Sequence, residues 1–249
     1  MSSHEVRGSK HIVINRKKSG YLKYIWHFTK HEMRLQCKNG MYVLYIVVNA
    51  LYIVLLSYVP GPYKELATTL VLLTDPTFLG MIFVGGILLL EKNQGVPKGI
   101  GVTPLGSEGY IISKVASLLF ISLILGTVIA IVTVGKQVNL LTLWVGLGLG
   151  ASLFTLLGMI MGAYSKSSNQ FLIFMSIACM AVAPPFLNYL GILDIQIFKF
   201  IPTYSVMCLI SRGIKGEGVM WKDFIYLIVC LGIVFKLTQQ VVINRIFRS

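Results

Sequence analysis

At 249 residues, 55% hydrophobic and only 12% charged, with a mean hydropathy of +0.77, the chain is too apolar for one or two soluble domains. Its apolar residues run in long stretches without the strand-like alternation of a transmembrane barrel, which leaves helices that cross a bilayer. The formal net charge of +13 does not mark a nucleic-acid binder. Nine of the 22 Lys/Arg precede Gly40 and most others stand at the ends of apolar runs, a placement that orients helices in a membrane, with no nucleic-acid recognition module beside them.

Residues 1–20 form a basic tail too polar for a secretory signal, and residues 21–249 read as one membrane domain. On a helix at about 100° per residue, Lys23, His27, Lys30, His31, Arg34 and Lys38 share one polar arc. Tyr21, Leu22, Tyr24, Ile25, Trp26, Phe28, Met33 and Leu35 fill the opposite side, and Glu32 is the one exception. A basic amphipathic helix rich in aromatics lies in the headgroup layer, so Trp26, Phe28 and Arg34 are its expected interfacial anchors. The alternative is a helix docked on protein.

Six spans follow, at about 41–59, 68–90, 111–134, 140–163, 170–190 and 224–242. The first is expected to close at Pro60-Gly61-Pro62. Six spans put both termini on one side. With the termini in the cytoplasm, 16 Lys/Arg lie inside and six outside, which predicts an N-in, C-in multi-pass protein of the plasma membrane. Pro184-Pro185 and Gly191 should break the end of the fifth span. Residues 192–200 and 203–211 are too short to cross and too apolar for an open loop, so they read as two short helices lying at, or dipping into, the outer surface, separated by Pro202.

The longest polar interval between two hydrophobic runs is 91–114, which leaves and re-enters the membrane and offers a soluble partner something to grip. An engine of its own is missing from this sequence. The one Gly-Lys pair, Gly135-Lys136, has Ala130 and Gln137 where a P-loop needs Gly and Ser/Thr. His31-Glu32 begins a zincin motif, but Leu35 stands where the second ligand belongs. Gly-x-Ser-x-Gly is absent, and no His follows His31, so an embedded hydrolase lacks an evident base. Cys37, Cys179, Cys208 and Cys230 have neither metal nor redox spacing.

Asp75 is the one carboxylate expected inside a span, which makes it a functional candidate. In Thr74-Asp75-Pro76, however, Asp is also a preferred N-cap and Pro a preferred first helical residue. Asp75 and Pro76 therefore read either as a helix start or as part of a substrate path. Gly146, Gly150, Gly158 and Gly162 in the fourth span let a neighbouring backbone approach, within the monomer or across a dimer.

Together, the basic amphipathic helix, six spans, polar loop after the second span and outer helical segment resemble an ABC exporter permease of the type-2 (type V) class. In the loop, Glu91, Gly95, Thr103-Pro104, Tyr110 and Lys114 resemble that class's Glu-x-x-x-Gly, Thr/Ser-Pro and Tyr/Phe-x-x-x-Lys signature. The run Phe83–Lys92 followed by Thr103-Pro104-Leu105 looks most like bacterial permeases of the fluoroquinolone-export type, with lantibiotic-immunity permeases next. The glycine-rich Gly95–Gly101 departs from the pattern and leaves the position of a coupling helix open.

The resemblance covers about residues 20–245 and implies an all-α permease that binds no cofactor itself. It implies a second permease chain, identical or similar, and a separate ABC ATP-binding subunit that holds ATP and Mg. Glu91, Gly95, Pro104, Tyr110 and Lys114 would couple to that subunit. A six-span assembly or sensor subunit that moves nothing is the rival reading.

Overall fold

The computed structural model describes residues 3–96, 99, 106–135 and 137–247, and among these every regular element is a helix. The first helix, α1 (Ser3–Lys38), turns by 68° into α2 (Met41–Ser57). Gly40 makes the corner at φ 73, a left-handed conformation that a side chain would strain. Five helices are long and apolar enough to cross a membrane: Gly61–Asn93, Gly106–Val134, Leu140–Tyr164, Ser168–Tyr189 and Trp221–Ile246. The sixth candidate is residues 21–38 of α1 taken with α2 as one bent span; α2 alone has 17 residues. It would extend about 26 Å, slightly under a hydrocarbon core of about 30 Å.

The second span begins earlier than the sequence suggests. Pro62 stands in the first turn of α3 (Gly61–Leu72), where its missing N–H has no helical partner to lose. The helix then continues through Pro76 as a π turn (Leu73–Thr77) into α4 (Leu79–Asn93). Pro76 cannot donate to the Leu72 carbonyl four residues back. The Thr77 hydroxyl donates to that oxygen instead, at 3.0 Å, and the Phe78 N–H reaches back five residues to Leu73 at 3.2 Å. Ser122 of the next span donates its hydroxyl to the Pro76 carbonyl. Because the freed backbone groups are satisfied, the helix does not restart at Pro76, and the reading of Asp75 as its N-cap is corrected. Asp75 accepts from Asn49 of α2.

The remaining elements are α5 (Gly106–Val134), α6 (Leu140–Tyr164), α7 (Ser168–Val182), α8 (Pro184–Tyr189), a 3₁₀ turn (Gln196–Phe200), α9 (Pro202–Ile214) and α10 (Trp221–Val242), followed by a π turn (Ile243–Phe247). Asn139 and Ser167 cap α6 and α7 with side-chain oxygens that accept from Thr142 N and Gln170 N, each at 3.3 Å. Pro184 and Pro185 open α8 after a one-residue interruption at Ala183, inside a fifth span that runs on to Tyr189.

The core is built around α6, which packs on α4, α5, α9 and α10. Its four glycines serve two neighbours, because steps of four residues drift about 40° around a helix. A Cβ on Gly146 would lie 3.0 Å from Ile210 N, and one on Gly150 would lie 2.7 Å from a Val206 methyl, so this pair seats α9. A Cβ on Gly158 would strike the Met81 carbonyl, and one on Gly162 would lie 2.6 Å from the Gly85 carbonyl, so this pair seats α4.

The close fit on Gly146 and Gly150 also decides between the two readings of the short segments after the fifth span. Residues 192–200 supply only an exposed 3₁₀ turn, whereas Val206, Met207, Leu209 and Ile210 of α9 are fully buried. At 13 residues α9 is too short to cross, yet it is set into the bundle rather than resting on it.

Candidate functional site

Three helices meet where the second span ends and the third begins. Glu91 stands in the last turn of α4, Tyr110 and Lys114 lie one turn apart on α5, and Glu32 comes from α1. The Lys114 ammonium donates to Glu91 Oε1 at 2.7 Å and to Glu32 Oε1 and Oε2 at 3.1 and 3.0 Å. Those three acceptors use its three N–H donors. Glu91 Oε2 accepts from the Tyr110 hydroxyl. The Lys114 ammonium also sits 4.9 Å from the centroid of the Tyr110 ring.

Every member is enclosed: Tyr110 is 0% exposed, Lys114 1%, Glu32 3% and Glu91 8%. Two carboxylates share one ammonium, so the cluster carries a net negative charge when all three are ionised. Burial pushes the Glu32 carboxyl above its ordinary value, against the pull of Lys114 and with a further push from Glu91. Gln36, one turn beyond Glu32, donates to Ser117 Oγ at 2.9 Å, and Ser117 donates to the Lys114 carbonyl at 2.9 Å. A fully satisfied network of this kind fixes the mutual positions of α1, α4 and α5.

Lys92 ties the same end of α4 to a fourth helix. Its ammonium donates to the Ala163 carbonyl at 2.8 Å and the Ser165 carbonyl at 3.3 Å, at the C-terminus of α6. A cation there complements the negative end of the helix dipole. Adjacent residues therefore bind in opposite directions, Glu91 to α5 and α1, Lys92 to α6.

This arrangement changes what the coupling residues can touch. In the sequence reading the Glu91 carboxylate belongs to the residues that couple to a separate ATP-binding subunit. Instead it is turned inward onto Lys114, because α5 returns alongside the end of α4 and brings the ammonium to it. Tyr110 and Lys114 are likewise enclosed, whereas Gly95 is exposed at φ 72. Pro104 lies outside the described residues.

The three expected anchors of α1 face different ways. Trp26 is 61% exposed, and Arg34 is exposed with the rest of the basic arc. Phe28 faces inward, its ring centroid 6.4 Å from that of Tyr110. The buried edge of α1 runs through Thr29, Glu32 and Gln36, on the side opposite the basic arc. Sequence reasoning missed Gln36 and gave Glu32 no role, although a lone acid on the apolar side of a basic helix was the available signal.

Asp75, near the middle of the helix from Gly61 to Asn93, is 1% exposed. Its Oδ2 accepts from Asn49 Nδ2 at 2.9 Å, and the same amide donates to the Tyr45 carbonyl at 2.7 Å.

A sequence profile of the fluoroquinolones export permease protein family matches residues 24–248. The fluoroquinolones export permease proteins of Mycobacterium tuberculosis strains CDC 1551 / Oshkosh and ATCC 25618 / H37Rv are each 27% identical over 204 residues, which covers 80% of this chain and 86% of theirs. No solved structure gives a significant match. A multi-pass helical bundle whose matched region runs from α1 to the end of α10 and beyond thus belongs to the fluoroquinolones export permease family.

Proposed function

We propose that this chain is the membrane-spanning half of an ATP-driven exporter, working with a second permease chain and a separate ABC ATP-binding subunit. Both termini and the loop from Glu91 to Lys114 lie on the cytoplasmic side. The ATP-binding subunit grips the exposed part of that loop, around Gly95, and the buried cluster beneath it passes the displacement into the bundle.

The observation that carries this reading is the pairing of Lys114 with both Glu91 and Glu32. A loop tied only to its own two helices could flex without moving them. Here the last turn of α4, the first turns of α5 and the amphipathic α1 share one ammonium, and Lys92 adds the end of α6. A push on the loop is then felt by four helices together. Glu91, Tyr110 and Lys114 act as positioning residues that transmit motion, without touching ATP or its subunit.

The relatives' names make a fluoroquinolone the first substrate to test. The chain would be co-expressed with the ATP-binding subunit encoded nearest to it, and inside-out vesicles assayed for uptake of norfloxacin. ATP-dependent accumulation that vanishes without either subunit is the expected result. Uptake indifferent to ATP, or to the presence of this chain, would refute it.

A further inference from the structure

The mechanism of coupling leaves one buried charge unused. Asp75 accepts from Asn49 through Oδ2, but its Oδ1 has no hydrogen-bond partner, and neither has Asn49 Oδ1 or the Tyr45 hydroxyl. Among the described residues, no Lys, Arg or His lies within ion-pair distance of Asp75. A buried carboxylate oxygen without a donor is costly, and in an apolar span more so.

Asp75 also lines a cavity of about 170 Å³ between α2 and the π turn, together with Tyr45, Tyr52, Leu79 and Phe83. The rings of Tyr45 and Phe83 stand 5.2 Å apart at 54°. Leu44 and Thr74 at its rim are exposed, so the cavity is reachable from outside the bundle. Of the three unmet atoms, only the Tyr45 hydroxyl can donate. Asp75 Oδ1 and Asn49 Oδ1 can only accept, and the Asn49 amide group is fixed by its two donations. The missing partner is therefore a donor. A hard metal cation would want about six or more oxygens, and a few oxygens among aromatic rings do not supply them. An ammonium needs fewer acceptors and is also drawn to ring faces.

We infer that Asp75, held in place by Asn49, forms with the aromatic wall of Tyr45, Tyr52 and Phe83 a binding site for the protonated amine of a cationic amphiphile. Its volume is below the range of about 300–1,000 Å³ usual for whole drug-sized ligands, so it takes the amine-bearing end while the rest of the ligand lies outside. The pocket binds amines whether or not the chain is an exporter, and its place on a transport path rests on the permease reading above.

The test uses the purified full chain in nanodiscs, without an ATP-binding subunit, and 2-phenylethylamine at pH 7 followed by saturation-transfer difference NMR. Saturable binding is expected, at least tenfold weaker for 2-phenylethanol, which has the same ring but no charge. Asp75→Asn should weaken amine binding at least tenfold, while Glu108→Gln, a change in an exposed carboxylate on α5, leaves it unchanged. The amine–alcohol comparison on the unaltered chain stands even if Asp75→Asn fails to fold. Absence of saturable amine binding, equal binding of amine and alcohol, or amine binding unaffected by Asp75→Asn would each overturn the site. A chain that exports norfloxacin yet binds no phenylethylamine loses this site and keeps the permease reading. One that binds the amine but exports nothing does the reverse.

Discussion

Glu91 and Lys114 stand 23 positions apart in sequence and meet at 2.7 Å, with side chains 11% and 2% exposed. The pair closes the polar loop at its base, so the helix that leaves the bundle and the one that returns are tied before either enters solvent. Glu32 extends the tie to α1, 82 positions before Lys114.

Removing the ammonium should leave two carboxylates facing each other in a closed site. Lys114→Ala is expected to destabilise the chain by about 3–5 kcal/mol, the usual cost of breaking a buried ion pair from one side. Replacing the whole network by apolar residues (Glu32→Leu, Glu91→Leu, Lys114→Met and Tyr110→Phe together) should recover most of that loss, since nothing polar is left unpaired. Denaturant unfolding in detergent, followed by Trp fluorescence, would measure both.

The spans were legible because their signal is compositional: runs such as 111–134 and 140–163 are apolar whatever their neighbours do. The path through Pro76 was not. Asp-Pro is locally a good helix start, and only the continued helix, with Thr77 donating to the Leu72 carbonyl and Ser122 to that of Pro76, shows why it is not one here. The loop signature identified Glu91, Tyr110 and Lys114 but not the direction they face, because that depends on a helix 59 residues before Glu91 in sequence (Glu32). Residue type marked Glu32 as out of place; its partner could be found only in three dimensions.

The π turn gives a second prediction. Thr77→Val keeps shape but removes the hydroxyl donor to the Leu72 carbonyl, and should cost about 0.5–1.5 kcal/mol. Thr77→Ser, which keeps the hydroxyl, should cost less. The same unfolding measurement separates them, and equal losses for Ser and Val would assign the effect to packing.

The glycines on α6 should differ sharply in tolerance. Gly158→Ala drives a methyl into the Met81 backbone carbonyl, which cannot step aside, and should destabilise by about 1–3 kcal/mol or more. Gly148→Ala meets only a Leu119 methyl, at 3.9 Å, and should be neutral or stabilising by up to about 1 kcal/mol. Thermal midpoints of the two variants in one detergent provide the comparison.

Lys92→Met should loosen the join between α4 and α6 by about 0.5–2 kcal/mol, through loss of a cation at a helix C-terminus. Lys92→Arg should retain part of it. Hydrogen exchange of the amides in the last turn of α6 reports the change: faster in Met, intermediate in Arg. Unaltered exchange in Lys92→Met would leave the ammonium with no part in holding that end.

The central claim, that the buried cluster carries motion from a partner ATPase into the bundle, is tested most directly by the number of norfloxacin molecules moved per ATP hydrolysed in proteoliposomes holding both subunits. The comparison sets the wild-type chain against the fully apolar four-residue variant, in which stability is largely restored but the charged tie is gone. The account predicts that the ATP-binding subunit still copurifies with the variant, because the cluster does not touch it, while the ratio falls at least tenfold. A variant that folds, holds its partner and moves norfloxacin at the wild-type ratio would contradict it.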